Sequence, residues 1–431
     1  MELLLQLIEL MGLNNANVRL VLIGVIMLGA STAVVGTFTF LRKKSLLGDA
    51  IAHSVLPGIC LAFILFNTKN PFVLLIGAAV TGWLSTVAID IITSKSRIKP
   101  DTAIALVLSV FFGTGMLLLT SIQQSGNAAQ SGLNHFLFGK AASLLAIDVI
   151  MIASVSIILL TVVFFYFKAF TLISFDETFA HSLGIPVARY ELILSTLTVL
   201  AICVGIQAVG VVLMAALLIT PAAAARYWTN SLVIMVLLAV LFSIIASLGG
   251  VFVSYALPGM PTGPWIIMII SMLAFISIVV APAKGIVAQM FNNRKTKDVV
   301  YNENILKCLF HLGEADNNFE GNRTIPNIQK RRFFNIVKLK KGLTKLRRLG
   351  YVNEAENSWA LTKKGKQEGA RIARLHRLWE LYLNTFLKMP EDHVHQGAEV
   401  IEHFITPEIE EMLLAELDNP TRDPHNREIP Y

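Results

Sequence analysis

From about residue 19 to residue 282 the sequence is a succession of apolar runs, each close to the length that crosses a lipid bilayer, and this limits what the chain can become. A helix rises about 1.5 Å per residue, so roughly 20 apolar residues cross a hydrocarbon layer about 30 Å thick. Backbone polar groups find no water there, which leaves the helix as the default spanning element. The runs fall at 19–41, 47–66, 71–94, 102–122, 146–167, 191–209, 210–225, 231–254 and 264–282, which predicts about nine transmembrane helices. Only Gln207 and glycines separate the sixth run from the seventh, so that pair also reads as broken or re-entrant.

Hydrophobic residues make up 55% of the 431 and charged ones 15%, but the charge is unevenly spread. Of 36 Lys/Arg and 29 Asp/Glu, 23 and 20 follow Asn292. The expectation is therefore an all-α polytopic membrane domain over 1–290 and then a soluble α+β portion. Basic residues gather in alternate loops: Arg42, Lys43 and Lys44; Lys95, Arg97 and Lys99; Lys168 and Arg189; Arg226; and Lys284 onward. The positive-inside rule then puts the N-terminus outside and the C-terminal portion in the cytoplasm of a cell-membrane, multi-pass protein. The opening "MELLLQLIELMGLNNANVRL" lacks a basic stretch and a small-residue cleavage site, so it reads as an interfacial or partly inserted helix and not as a cleaved signal. Cys60, Cys203 and Cys308 are isolated and suggest neither a disulfide framework nor a thiolate zinc site.

Within the spans, Asp49, His53 and Asp90 are the main ionisable residues. Inserting such a group at a helix centre costs at least about 2.5 kcal/mol, so each is a candidate for function. Asp90 sits near a helix end beside Lys95 and is the blandest of the three. Asp49 and His53 are four residues apart and so share a helix face, where both could contact one small cation. Pro57-Gly58 follows directly, and proline should bend the helix beside the pair.

The stretch "LLGDAIAHSVLPGICLAF" resembles the signature of metal-importing ABC permeases, the membrane subunits of manganese, zinc and iron(II) importers. The likeness extends over roughly residues 15–290 and includes "VGIQAVGVVLMAALLITPAAAARY" and the loop "SFDETFAHSLGIPVARYE". It implies that Asp49 and His53 contact metal in the pathway. It also implies that Asp176, Glu177, His181 and Gly184 belong to a cytoplasmic segment that docks on an ABC ATPase subunit. An extracytoplasmic metal-binding protein and a second permease chain, forming a homodimer, are further implied partners. The chain has no G-x-x-x-x-G-K-[ST] loop, so it is not expected to bind nucleotide or to act as an enzyme itself.

From about 299 the pattern is helix, helix, helix, hairpin, helix, which reads as a winged helix over 299–370. No acid occurs between Glu320 and Glu354, and Lys338, Lys341, Lys345 and Arg348 are candidate nucleic-acid contacts on the second amphipathic helix. Such faces also serve protein and lipid-headgroup contacts. Downstream, His376 and Glu380 lie one turn apart, while His395, Glu399, Glu402 and His403 fall on one helical face. Imidazole and carboxylate clustered this densely suit a divalent transition ion.

The run "RLHRLWE…VH…AEVIEH…PTRDPHNREIP" resembles the diphtheria-toxin-repressor and manganese-repressor family of metal sensors over about 299–430, with the helical metal-binding and dimerisation part at 371–431. The likeness implies one metal site at Glu399, Glu402 and His403 and another at His376, Glu380 and His395. Glu303 would serve from the first helix, although Leu306 stands where manganese-specific members have a carboxylate. Glu399 stands where some iron sensors carry cysteine, and the harder ligand favours manganese over zinc or iron. The expectation is thus the permease subunit of an ATP-driven divalent-metal importer with a fused cytoplasmic metal-sensing domain. The alternative is a membrane-tethered, metal-dependent DNA-binding regulator, for which so many spans are far more than an anchor requires.

Overall fold

The computed structural model describes residues 16–68, 70–124, 139, 144–257, 260–390 and 394–431. They form two compact units, 1–289 and 290–431. The interfacial helix expected at the extreme N-terminus falls almost wholly outside the described residues.

The first unit is helical. α1 is Ala16–Leu41, α2 Ser45–Ser54, α3 Leu56–Phe66, α4 Pro71–Lys95, α5 Pro100–Gln124 and α6 Ala146–Phe175. The short α7 is Glu177–Ser182; α8 Val187–Val209, α9 Val211–Arg226, α10 Leu232–Ala256 and α11 Thr262–Val280 follow. Among the described residues eight segments are long and apolar enough to cross a membrane, with Ser45–Phe66 counted as one. The ninth expected span, α9, has 16 residues, about 24 Å of helix, which is short of a hydrocarbon core. It parts from α8 at Gly210, whose φ of 90° is a conformation only glycine adopts without strain. The sixth and seventh runs are therefore a broken pair.

Bundle packing explains the small and hydroxylated residues. α1 packs against α6, α8, α9 and α10. Its hydroxyls bond back to their own helix, as Thr32 does to the Leu28 carbonyl (2.8 Å), or across it, as Ser31 does to Ser156 (3.0 Å). α3 lies against α4 and α5. A Cβ at Gly58 would fall 2.1 Å from the Gly77 carbonyl oxygen, so α3 and α4 cross with their backbones touching.

The second unit begins within α12 (Ile286–Asp316). Then come β1 (Arg323–Thr324), α13 (Ile325–Arg331), α14 (Ile336–Arg348), β2 (Val352–Ala355), β3 (Ser358–Leu361), α15 (Lys363–Leu387), α16 (Val394–Ile401) and α17 (Pro407–Glu416). The antiparallel sheet has the order β1-β3-β2. Glu356 and Asn357 turn the β2–β3 hairpin, both at positive φ, as a tight turn matched to strand twist requires. Leu306, Leu309, Leu339, Leu343, Leu346, Trp359 and Ile372 join one core. Helices with a basic outer face and a hairpin wing make this the predicted winged-helix layout.

Candidate functional sites

α2 carries the first site. Val55 closes it, and α3 restarts with Pro57 in its first turn, so the helix breaks two residues before the proline. Pro57 has no N–H to give the His53 carbonyl and its ring crowds that turn. Asp49 and His53 project together, with Nε2 3.6 Å from Oδ1, too far for a hydrogen bond but near enough to share an ion. The Asp49 side chain is 45% exposed and that of His53 21%. The His53 ring stands edge-on to Phe112 of α5, with centroids 4.9 Å apart. Its Nδ1 is buried and has no hydrogen-bond partner among the described residues. Asp90 is exposed near the C-terminal end of α4. Sequence reading did not single out a further acid of these helices, Asp148. Asp148, 1% exposed, sits in the first turn of α6 and accepts from the Leu145 N–H at 3.0 Å, the position of a capping carboxylate.

The second site is the loop around α7. Asp176 caps it, accepting from the Phe179 N–H at 2.8 Å, and Gly184 ends it at φ 73°. Ala180 is buried, whereas Glu177, His181, Phe179 and Leu183 are exposed, the last two at 51% and 57%. Arg42, whose side chain is 8% exposed, reaches Glu191 at 3.1 Å and Glu177 at 3.5 Å, and Lys44 also binds Glu191. The loop is thus pinned from beneath and presents an apolar face above.

The third site gathers most of the His and Glu residues of the second unit. His376 Nε2 is 2.8 Å from Glu380 Oε1, and its Nδ1 is 2.5 Å from Glu402 Oε2. His403, with a side chain 1% exposed, places Nδ1 2.5 Å from Glu303 Oε2 and Nε2 3.3 Å from Glu402 Oε1. Glu402 therefore joins the two predicted ligand sets. Glu399 instead pairs with Arg332 at 2.8 Å, and the His395 side chain lies outside the described residues. Sequence reading missed the central member. Lys307 of α12, 5% exposed, puts its ammonium 2.7 and 2.9 Å from the two oxygens of Glu402 and 3.0 Å from His376 Nδ1.

Burial works against the charged form of each group here. For Lys307 it prevails over the attraction of Glu402 and lowers the ammonium's pKa. For Glu402 burial is overcome by His376 and Lys307, and the carboxyl stays below its ordinary range. For His376 burial is overcome by bonds to Glu380 and Glu402, and the ring is raised.

Among the described residues no three His, Cys, Asp or Glu donors converge as a finished metal site. The donor chemistry nonetheless suits a cation, because Lys307 already supplies a stand-in one. The buried His403 Nε2, without a hydrogen-bond partner among the described residues, also faces Glu402. Lys338, Lys341, Lys345 and Arg348 are exposed on α14, whose Leu339, Leu343 and Leu346 point into the core.

The profile of the ABC 3 transport family matches residues 14–281, and that of the iron dependent repressor, metal binding and dimerisation domain matches residues 362–431. The chain is 41% identical over 372 residues to the manganese transport system membrane protein MntC of Bacillus subtilis (strain 168), covering 86% of this chain and 85% of that protein. It is 41% identical over 275 residues to the zinc transport system membrane protein TroC of Treponema pallidum (strain Nichols), covering 64% and 92%. Among solved structures it is similar to PsaBC from Streptococcus pneumoniae in complex with Fab, at 34% identity and a TM-score of 0.58, over 64% of this chain and 97% of that one.

Proposed function

The chain belongs to the ABC 3 transport family, and on that footing we propose that it is the permease subunit of an ATP-driven importer of a divalent transition metal, with a fused cytoplasmic metal-sensing domain. The observation that carries the transport reading is the Asp49–His53 pair, one turn apart beside a break in a membrane helix. A carboxylate and an imidazole in such a place suit a small dication that must be held briefly and released. Manganese is the favoured cargo: it is named in a relative that is 41% identical over 86% of the chain. Zinc, named in the second relative, and iron(II) are the competitors.

ATP hydrolysis falls to a separate ATPase subunit that docks on α7, an extracytoplasmic binding protein delivers the ion, and a second copy of the chain completes the pathway. The basic loops favour a cytoplasmic location for residues 290–431. There Glu402, His403, His376 and Glu380, with Glu303 behind His403, would hold a cytoplasmic ion. The ion would supply a doubly charged centre joining α12, α15 and the end of α16. The eight long apolar helices among the described residues exceed what tethering a DNA-binding regulator needs.

Proteoliposomes containing this chain, its ATPase and its binding protein test the reading. ATP-dependent manganese accumulation is the expected result, and accumulation that ignores ATP but follows an ion gradient would replace it with a secondary carrier. The docking face gives a sharper check. Burying one Phe side chain contributes about 1.5–3 kcal/mol, a ten- to hundredfold effect on association. Phe179→Asp is therefore expected to lower co-purified ATPase by about tenfold or more while leaving the permease's thermal unfolding unchanged.

A further inference from the structure

We propose that Lys307 is the resident cation of the Glu402–His376 cluster, and that a divalent ion enters only by displacing its ammonium into the adjoining cleft. This deepens the metal-sensing reading and rests on it. Three observations support it. The ammonium makes short contacts with both oxygens of Glu402 and lies 3.0 Å from His376 Nδ1, so it occupies the point where a metal bridging these residues would sit. The lysine is 5% exposed and Glu402 2%, so no bulk water competes for the position. A cleft of about 400 Å³ opens on the cluster, lined by Lys307, His376, Glu380, Glu399 and Asp423 together with four arginines, and its carboxylates offer both an entry for the ion and a partner for the ejected ammonium.

The consequence is a threshold. A site whose competent form must first shed an internal partner binds more weakly in proportion to the fraction that is free. Lys307 thereby sets the metal level at which the domain responds, and Glu399, already paired with Arg332, adds a second internal cation at the rim. The residue belongs to α12, so exchange of ammonium for metal alters what that helix is anchored to.

The test uses the full chain in detergent, with Asp49→Asn and His53→Ala introduced to silence the pathway pair, and manganese chloride alone as the probe. An amine-reactive acylating reagent, read out by mass spectrometry, reports the exposure of Lys307. Labelling is expected to be low without metal and to rise at least fivefold at saturating manganese. In Glu402→Gln, labelling is expected to be high with or without metal. Free-manganese electron paramagnetic resonance should show Lys307→Met binding at least tenfold tighter than the unmodified cluster.

Equal affinities with labelling indifferent to manganese would overturn the role of Lys307 and leave the sensor reading standing. Absence of manganese binding to both forms would remove the sensor reading as well. Should Lys307→Met fail to fold, the labelling of the native lysine decides the matter by itself.

Discussion

Asp49→Asn is expected to cut ATP-driven manganese uptake by about ten- to a hundredfold in cells that depend on this chain for the metal. The substitution keeps the side chain's size and removes its charge, so loss of uptake reports the electrostatics of the pathway. A charge-assisted contact contributes about 1.5–3 kcal/mol, which corresponds to that range. His53→Ala should act in the same direction. Because the two side chains face each other at 3.6 Å, the double substitution should cost less than the product of the single effects. The measurement is initial uptake of radiolabelled manganese, with the level of membrane-inserted chain and of bound ATPase followed in parallel. Normal uptake in the double variant, with both controls intact, would remove the pair from the transport path.

The largest stability effect is expected in the second unit, from Arg377→Ala. Arg377 is 4% exposed and clamps Glu314 with two parallel bonds of 2.9 and 2.8 Å. It also donates to the Glu428 carbonyl and lies 3.8 Å from the buried Asp423. Removing one partner of a buried ion pair costs about 3–5 kcal/mol, because the remaining charge keeps its burial and loses its compensation. For a unit of this size, a fall of about 10 °C or more in the unfolding midpoint follows.

The same clamp predicts acid sensitivity. Burial pushes the Glu314 carboxyl up, but bonds from His311 and Arg377 overcome this and hold it at about 2, below its ordinary 4.5. The folded state thus binds this proton less tightly than the unfolded one. The contribution to stability is complete above pH 4.5 and is lost as the pH falls towards 2. Calorimetry of both proteins between those limits should show a shallower pH dependence for Arg377→Ala.

Much of this was legible in the sequence for local reasons. Apolar runs of bilayer length mark membrane helices whatever their neighbours do. Asp176 and Gly184 bracket α7 because a cap and a left-handed stop act within one turn. The hairpin at Glu356 and Asn357 is equally local. Lys307 was not legible. It sits between Leu306 and Cys308 in what reads as an ordinary amphipathic helix, and its partners lie 69 and 95 residues onward. Only the tertiary fold brings α12 against the end of α16. Glu399 shows the converse: spacing put it on a ligand-bearing face, yet Arg332, 67 residues earlier, takes its carboxylate.

The turn at Val55 bends one membrane crossing while keeping its helical bonds, since Val55 still donates to the Ile51 carbonyl and accepts from the Ile59 N–H. On either side of it the crossing is held: α3 touches α4 backbone to backbone at Gly58 and Gly77, and α2 packs against α4, α5, α8 and α9. The two groups that would grip the cargo are therefore mounted on a braced helix. Asp49 stands six residues from Val55, roughly 9 Å along the axis, so drawing its oxygens about 1.5 Å away from an ion takes a bend of about 10° that the neighbouring helices must share. Release of the cargo is thereby tied to movement of the bundle and not of one segment alone.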